Sequence, residues 1–565
     1  MSKIKIFGMG GLNENGKNTY IVEVDDKIFV FDAGLKYAND TMYGIDYIIP
    51  DYDYLEKNKN RIVGVFITHA HPESYGGVRD LIKDIKDIKI YATKYAINQM
   101  KLDGINEKNL NLITAHKKIV IDKETSVFAI NVNHSVPDSV MYVLNTKDGA
   151  VVYTGDFIID PSMMGSYYMD LGKIAYVGKQ GVLALLCESS FSENKGHTSP
   201  SHHMSSFFKN IINKAQGRII FSVLPIHLYT IEGIFTAAKN SHRKIIIMGK
   251  KLQNIINMAI KEKYMNIDEK LIGDLSNLDD SNAILLVSDD RAHPYSSIEK
   301  IVNGNDKFIH LKETDTFCFA EPKYDENEKI IVKIENELAY KGIDTISIPK
   351  DKGISLHASS EDLMLMINLL KPKYFMPVKG EYRYMVGAAN LASDLGYKKE
   401  NILLKQNGDI VVINNKKLED NFEHIFIDDV LIDGTSSDDV GDLVIKDREM
   451  LSENGIVLVS ATLSKKDKTI LVGPEVTTRG FIYVKDSKEM IDEIKRISLE
   501  VITANINNGY VDYNNIKTEI REKLSKYFYV ETECKPMIIA VIQEVQGVSK
   551  LLFFSWLKLI HIIDF

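Results

Sequence analysis

The stretch Ile62–Thr68 constrains this chain more than any other. It is a short β-branched and apolar run, and it leads directly into Thr68-His69-Ala70-His71-Pro72-Glu73-Ser74. A run of this kind reads as a buried strand. Two histidines at i and i+2 in the loop leaving a strand can turn both imidazoles onto one cation. Neutral imidazole suits zinc, and manganese where carboxylates join. Standing alone, an HxH pair is a weak signal and is more readily read as two unrelated surface histidines.

Two further segments give the pair company. Asn133-His134-Ser135-Val136-Pro137-Asp138-Ser139 places a third histidine in a turn between strands, and Thr154-Gly155-Asp156 follows the apolar strand Gly149–Tyr153. There a carboxylate emerges at one rim of a sheet, although an aspartate beside glycine is also an ordinary turn residue. Three histidines and an aspartate at strand ends of one predicted domain read jointly as a metal site.

Around this core the early chain reads as an α/β layered domain. Tyr20–Val24 and Ile28–Asp32 are strands, Gly77–Ile85 is a helix, and a strand, loop and helix recur over Ile88–Gln99. From about residue 201 to 350 the apolar strands Ile219–Val223, Lys244–Met248 and Ile284–Val287, with a helix near Thr230–Lys239, predict a second, doubly wound α/β unit. A helix Leu363–Leu370 and a strand Tyr374–Pro377 follow. The Asp- and Asn-rich stretch 414–442 reads as linker and short strands. Gly455–Leu463, Lys468–Leu471, Phe481–Lys485 and the helix Lys488–Asn505 predict a compact βαβ-like terminal domain.

The chain has 565 residues, more than one hydrophobic core accommodates. Its three cysteines stand far apart, which excludes a disulfide scaffold and fits a reducing, cytoplasmic setting. The N-terminal stretch lacks the basic and apolar pattern of a secretion signal. A formal charge of −9 argues against non-specific coating of nucleic acid but leaves room for a local basic groove. The one membrane-like stretch, Leu551–Phe565, is interrupted by Lys558 and His561 and is shorter than the ~20 apolar residues of a span. It reads as a packed or interface helix in preference to a membrane-surface anchor.

The same motifs carry a family resemblance. HAHPES, NHSVPDS and TGDF follow the ligand order HxHxDH, HS-x-PDS and TGDF of the ribonuclease J type of metallo-β-lactamase-fold hydrolase. The likeness continues through KNTYIVEVDDKIFVFDAGLKY, GIDYIIPDYDYLEKN, LLCESSFSEN, SLHASSEDLMLMINLLKPKYFMPVKGEYR, LSENGIVLVSATLSKK and GPEVTTRGFIYV. Only the segment after about Gln546 lies outside it. The chain resembles the ribonuclease J family, and within it a degenerate second paralogue.

The resemblance implies a metallo-β-lactamase αββα sandwich with an inserted β-CASP α/β domain and a small α+β C-terminal domain. Residues 1–200 and 351–415 would form the two parts of the metallo-β-lactamase domain and 201–350 the β-CASP insertion. Residues 416–445 would be linker, 446–546 the C-terminal oligomerisation domain and 547–565 an atypical apolar tail. The implied activity is metal-dependent 5′-to-3′ exonuclease cleavage of RNA, with or without endonuclease action, in rRNA and mRNA maturation and decay. The implied partners are RNA and a second subunit, as homodimer, homotetramer or hetero-oligomer with a ribonuclease J paralogue.

By resemblance, His69, His71 and His134 hold the first ion, with Asp156 bridging. The second ion would take an aspartate where Glu73 stands, a histidine where Ser74 stands, Asp156, and a histidine where Lys379 stands. Serine is a poor zinc or manganese ligand, and a protonated lysine is none. One zinc per chain is therefore expected, against two in the intact family. We expect Lys379 either to place its ammonium near the second position, paired with Asp156, or to point into solvent. The catalytic candidates are Glu73, Asp156 and His357, with His357 as general acid. Glu188 falls in the first β-CASP motif region. Gly353, Ile354, Ser355, Leu356 and His357 form the stretch that would grip RNA, although Gly353 and Leu356 replace the family's usual histidine and glycine. Ser359 or Ser360 would cap the next helix, and Arg383 would meet a phosphate or buttress Glu381. His197, His202, His203 and His227 read as surface or structural. Two functions stay open: a ribonuclease of reduced activity, or a weak or inactive structural partner of an active paralogue.

Overall fold

The computed structural model describes the chain except residues 1, 39–41, 43, 199–203, 290–294, 323–326, 350–354, 421, 435–441, 482–487, 507–511 and 546–565. The expected positions Gly353, Ile354, His202 and His203 and the apolar tail lie outside the described residues. Two compact units emerge: residues 1–38 with 46–432, and residues 39–45 with 433–565.

In the first unit two sheets face each other. A nine-stranded sheet runs in the order Lys417–Leu418, Asp409–Asn414, Lys3–Gly10, Thr19–Val24, Lys27–Phe31, Ile62–Phe66, Ile90–Ala92, Leu110–Leu112, with Glu423–His424 also paired to Asp409–Asn414. A six-stranded sheet runs Tyr374–Val378, Val182–Glu188, Gly149–Tyr153, Val140–Thr146, Ser126–Asn131, Ile119–Val120. Each strand turns alternate side chains to opposite faces. Ile4, Ile6, Phe29, Phe31 and Phe66 from the first sheet meet Tyr142, Tyr153, Leu186 and Met376 from the second. Helices cover the outer faces, Leu171–Gln180, Ser360–Leu370 and Tyr382–Asp394 closing over the six-stranded sheet. The result is an αββα sandwich.

The strand directions place the site. Gly149–Tyr153, Val182–Glu188 and Tyr374–Val378 are parallel neighbours. Ser126–Asn131 runs the same way, because the strand between it and Gly149–Tyr153 is antiparallel to both. Four carboxyl ends of one sheet therefore open at a single rim.

The insertion carries a five-stranded all-parallel sheet in the order Lys244–Ile247, Ala283–Val287, Ile219–Ser222, Thr316–Pro322, Asp344–Ile348. Arg218 is buried beneath it against Asp315, Nη2 to Oδ2 being 2.6 Å. In the region read as linker, Asp429–Ile432 is a strand paired with Tyr47–Pro50.

The second unit is a three-stranded sheet, Ile470–Arg479, Ile456–Ser464, Met537–Val545, backed by helices Lys488–Ile506 and Tyr513–Thr532. Val457, Val459, Ala461 and Leu463 pack onto Ile497, Val501, Ile520 and Leu524. The short strand expected at Lys468–Leu471 is one long strand to Arg479, and the expected strand Phe481–Lys485 falls almost wholly outside the described residues. The strand that completes the βαβ-like motif is Met537–Val545, parallel to Ile456–Ser464. Among the described residues no helix is long and apolar enough to cross a membrane.

Candidate metal centre

His69 and His71 leave the strand Ile62–Phe66, while His134 follows Ser126–Asn131 and Asp156 follows Gly149–Tyr153. All four side chains are buried, and one ligand atom from each lies within 4.8 Å of the others. The three imidazole rings pack edge to face, with centroids 4.7 Å (His69–His71), 4.6 Å (His69–His134) and 4.7 Å (His71–His134) apart. Asp156 Oδ2 stands 3.5 Å from His69 Nε2. The turn carrying Asp156 needs glycine: Gly155 has φ +57°, and a Cβ there would meet Thr68 Cβ at 2.8 Å.

Hydrogen bonds on the far side of each ring decide which nitrogen faces the centre. Thr68 Oγ1 lies 2.9 Å from His69 Nδ1 and donates to Asp32 Oδ2 at 2.9 Å. Its lone pair therefore takes the Nδ1–H, leaving His69 Nε2 bare, and that buried atom has no hydrogen-bond partner among the described residues. His71 donates from Nε2 to the carbonyl of Ile226, 3.1 Å away in the insertion, which turns its Nδ1 inward. His134 Nε2 comes within 3.3 Å of that Nδ1. Burial, reinforced by the neighbouring imidazoles, pushes the pKa of His69 and His134 well below the usual histidine range. Neutral rings, a carboxylate and an orphaned buried nitrogen are what a borderline-soft cation requires. These residues fit a zinc-type ion.

The second position is built differently. Lys379, immediately after Tyr374–Val378, brings its ammonium into direct contact with Asp156 Oδ2, and both side chains are 1% exposed. Burial disfavours both charges, but each ion outweighs that for the other. The Lys379 ammonium, with His357 and His134, holds the Asp156 carboxyl below its ordinary range, and the carboxylates of Asp156, Glu73 and Glu188 hold the lysine above its own. Lys379 adopts φ +55°, fixed by its N–H donating to Gly11 O at 2.8 Å and by the Ser189 hydroxyl donating to its carbonyl at 2.6 Å. Of the two expectations for Lys379, the inward pairing is the one in the structure. Ser74 Oγ is buried and without a hydrogen-bond partner among the described residues. Glu73 directs Oε1 to 3.6 Å from His71 Nδ1. This donor set is a poor fit for a second ion, since Ser74 offers only a neutral hydroxyl and the Lys379 ammonium has no lone pair.

Beside Asp156, His357 directs Nδ1 to Glu188 Oε2 at 2.7 Å. Glu188 Oε1 in turn accepts the N–H of Phe157 at 2.7 Å, which ties the Asp156 turn to His357. Asp156, Glu188 and His357 are close enough to hold a cation as well. His357 is already bonded to Glu188 and Asp156 Oδ2 to the lysine, while Asp156 Oδ1 is buried without a hydrogen-bond partner among the described residues.

Other expected positions fall further from the chemistry. Ser355 Oγ donates to the His357 carbonyl at 2.7 Å, and Leu356 is buried. Ser359 occupies the expected N-cap position of Ser360–Leu370, without a side-chain capping bond, and Ser360 is already helical. Arg383 is exposed, 3.2 Å from Glu381, with its guanidinium over the Tyr384 ring. His197 bonds Asp362 at 2.9 Å, and His227 is buried.

The residues missed by sequence reasoning are Asp32, Thr68 and Tyr153. Asp32 sits under the site, accepting from the Thr68 N–H at 2.8 Å and the Tyr153 hydroxyl at 2.7 Å. Burial pushes its pKa up to about 7 against these bonds. A charged residue ending the apolar strand Lys27–Phe31 at the same rim was the available signal.

Comparison with known proteins agrees with this architecture. The Metallo-beta-lactamase superfamily profile matches residues 12–177, and the Ribonuclease J, beta-CASP domain profile matches 216–338. The Zn-dependent metallo-hydrolase RNA specificity domain matches 350–403, and the Ribonuclease J C-terminal domain matches 443–545. Proteins named Ribonuclease J 2 from Staphylococcus epidermidis and Staphylococcus aureus are each 33% identical over 549 residues, covering 96% of this chain and 98% of their own. Likeness over nearly the whole of both chains, through all four matched domains, means that this chain belongs to the ribonuclease J family.

Proposed function

We propose that this chain is a metal-dependent ribonuclease of RNA processing and decay whose centre holds one cation, Lys379 supplying positive charge at the second position. The observation that carries the reading is the buried Lys379–Asp156 ion pair beside three converging histidines.

His69 Nε2, His71 Nδ1, His134 Nε2 and Asp156 would hold the ion. When bound, a zinc or manganese ion lowers the pKa of a water and polarises a phosphoryl oxygen. The protein's own groups do the rest. Asp32 and Thr68 fix the tautomer of His69, and the Ile226 carbonyl fixes that of His71. Glu188 accepts the Nδ1–H of His357, so that in the imidazolium form the Nε2–H would pass to the departing oxygen of the cleaved phosphodiester and leave the ring neutral. The Lys379 ammonium neutralises Asp156, which lowers the repulsion a phosphate would meet there. It cannot clamp an oxygen as a second ion does, so turnover is slower than at a dinuclear centre. The same geometry supports a second reading, a structural partner of an active paralogue, because Ser74 is a weak ligand and the Lys379 ammonium is none.

Bound metal per chain and hydrolysis of 5′-monophosphorylated RNA by the purified protein test this. One ion and slow turnover are expected, with a second ion gained by Glu73→Asp, Ser74→His and Lys379→His together and not by either histidine alone. Two tightly held ions with brisk turnover in the unaltered chain would overturn it. Absence of turnover, with stimulation of an active paralogue on mixing, would move the assignment to the structural partner.

A further inference from the structure

Two loops that carry the histidines are tied to the inserted domain by one atom. The insertion strand Ile219–Ser222 runs on into Leu224-Pro225-Ile226, and the Ile226 carbonyl accepts from His71 Nε2 and from Ser135 Oγ, each at 3.1 Å. A carbonyl oxygen has two lone pairs, so it can serve both donors. His71 belongs to the loop after Ile62–Phe66, and Ser135 adjoins His134 in the loop after Ser126–Asn131. Next along the insertion, the Tyr229 N–H donates to Ser135 O at 3.2 Å. Tyr229 stands in the first turn of the helix Leu228–Ala238, where a backbone N–H has no acceptor within its own helix.

The far end of the His134 loop is held as well. Asp138 adopts φ +54°, its N–H donating to Ser166 O at 2.8 Å and its Oδ2 accepting the Tyr264 hydroxyl at 2.5 Å. Tyr264 comes from the insertion. The helix Lys250–Lys261 ends, Lys263 takes φ +63°, and the turn lays the Tyr264 ring edge-on to that of Tyr95, centroids 5.2 Å apart. Beside it Lys94 Nζ pairs with Glu262 Oε2 at 2.7 Å. The segment 133–139 therefore offers His134 to the centre and bonds the insertion through Ser135 and Asp138.

We propose that docking of the inserted domain and binding of the cation are coupled through this loop, with the Ile226 carbonyl and Tyr264 as positioning groups for His71 and His134. The inference rests on the metal-centre reading above. Each bond from the insertion narrows the range over which an imidazole turns, which reduces the freedom lost when the ion binds. Outer partners of this kind alter metal affinity about 10- to 100-fold. Coupling between two binding events is reciprocal, so the ion tightens the docked insertion by the factor by which docking tightens the ion. None of the three histidines or Asp156 belongs to the insertion, so a response there to the ion reports the coupling and not direct ligation.

The test uses the full-length protein stripped with EDTA and then loaded with zinc alone, read by hydrogen–deuterium exchange and by competition against a chromophoric chelator. In the unaltered protein zinc should slow exchange of the segment 226–231, which contains the Tyr229 amide, about tenfold. Tyr264→Phe keeps the ring against Tyr95 and deletes the hydroxyl. It should weaken zinc binding about tenfold and shrink the slowing of that segment. A hydroxyl that merely supports the fold would lower stability with and without zinc alike and leave zinc affinity unmoved. Equal zinc affinity of the two proteins, or exchange in the insertion that ignores zinc, overturns the coupling while the metal centre stands. Should Tyr264→Phe fail to fold, exchange in the unaltered protein decides by itself. Failure of the unaltered protein to bind zinc at all sinks the metal-centre reading, and the coupling with it.

Discussion

Lys379→Met removes an ammonium from the site while keeping most of its side-chain volume, and it strands Asp156. Both partners are 1% exposed, so solvent screening does little to soften the loss. Breaking a buried pair by deleting one member costs about 3–5 kcal/mol. If the carboxylate escapes by taking a proton, moving a group of ordinary pKa ~3.9 to neutrality at pH 7 costs about 4 kcal/mol. The two routes agree on a loss near 4 kcal/mol, read by urea unfolding followed with circular dichroism in EDTA. The sign with pH follows. In the unaltered protein Asp156 titrates below its unfolded value, so its contribution is present above about pH 4 and is lost as pH falls through the folded pKa. In the variant the folded pKa lies above the unfolded one, so the deficit is large at pH 7 and shrinks towards pH 5. Asp156→Asn combined with Lys379→Met should recover most of the loss, because neither charge then remains. A single variant within about 1 kcal/mol of the parent at pH 7, with no pH dependence of the difference, would refute the argument that this pair is desolvated and mutually dependent.

Further outcomes follow from the supporting shell. Thr68→Val deletes the hydroxyl between Asp32 and His69 and should weaken metal binding about 10- to 100-fold in a chelator competition, with Thr68→Ser restoring it. Asp32, at about 7 when folded, binds a proton that the unfolded chain has released, so stability should fall as pH rises from about 4 to 7. Asp32→Asn should flatten that slope by up to about 1.4 kcal/mol per pH unit in chemical denaturation. Gly155→Ala forces a side chain onto φ +57° and against Thr68, and should lower stability by about 2 kcal/mol together with metal affinity.

The chain's local patterns made much of this molecule legible. Strand ends are where period-two apolar runs stop, so His69, His71, His134 and Asp156 could be placed at one rim from sequence, and the doubly wound strands of the insertion fell within a residue or two of their positions. Resemblance added Glu73, Ser74 and Lys379 as the altered second position. What local pattern could not supply is contact between distant segments. Lys379 meets Asp156 across 223 residues, Tyr153 meets Asp32 across 121, and the Ile226 carbonyl reaches His71 across 155. Nothing in the sequence near Lys379 says whether it faces solvent or a carboxylate. The helix Tyr513–Thr532 and the strand Met537–Val545 also escaped notice, although Ile516, Ile520, Leu524 and Phe528 recur at four-residue spacing on the buried face of that helix. The sequence alone determined which residues could ligate a cation and in what order they leave their strands. Only the tertiary structure decided that the lysine turns inward, because that choice depends on a buried aspartate brought against it from 223 residues away.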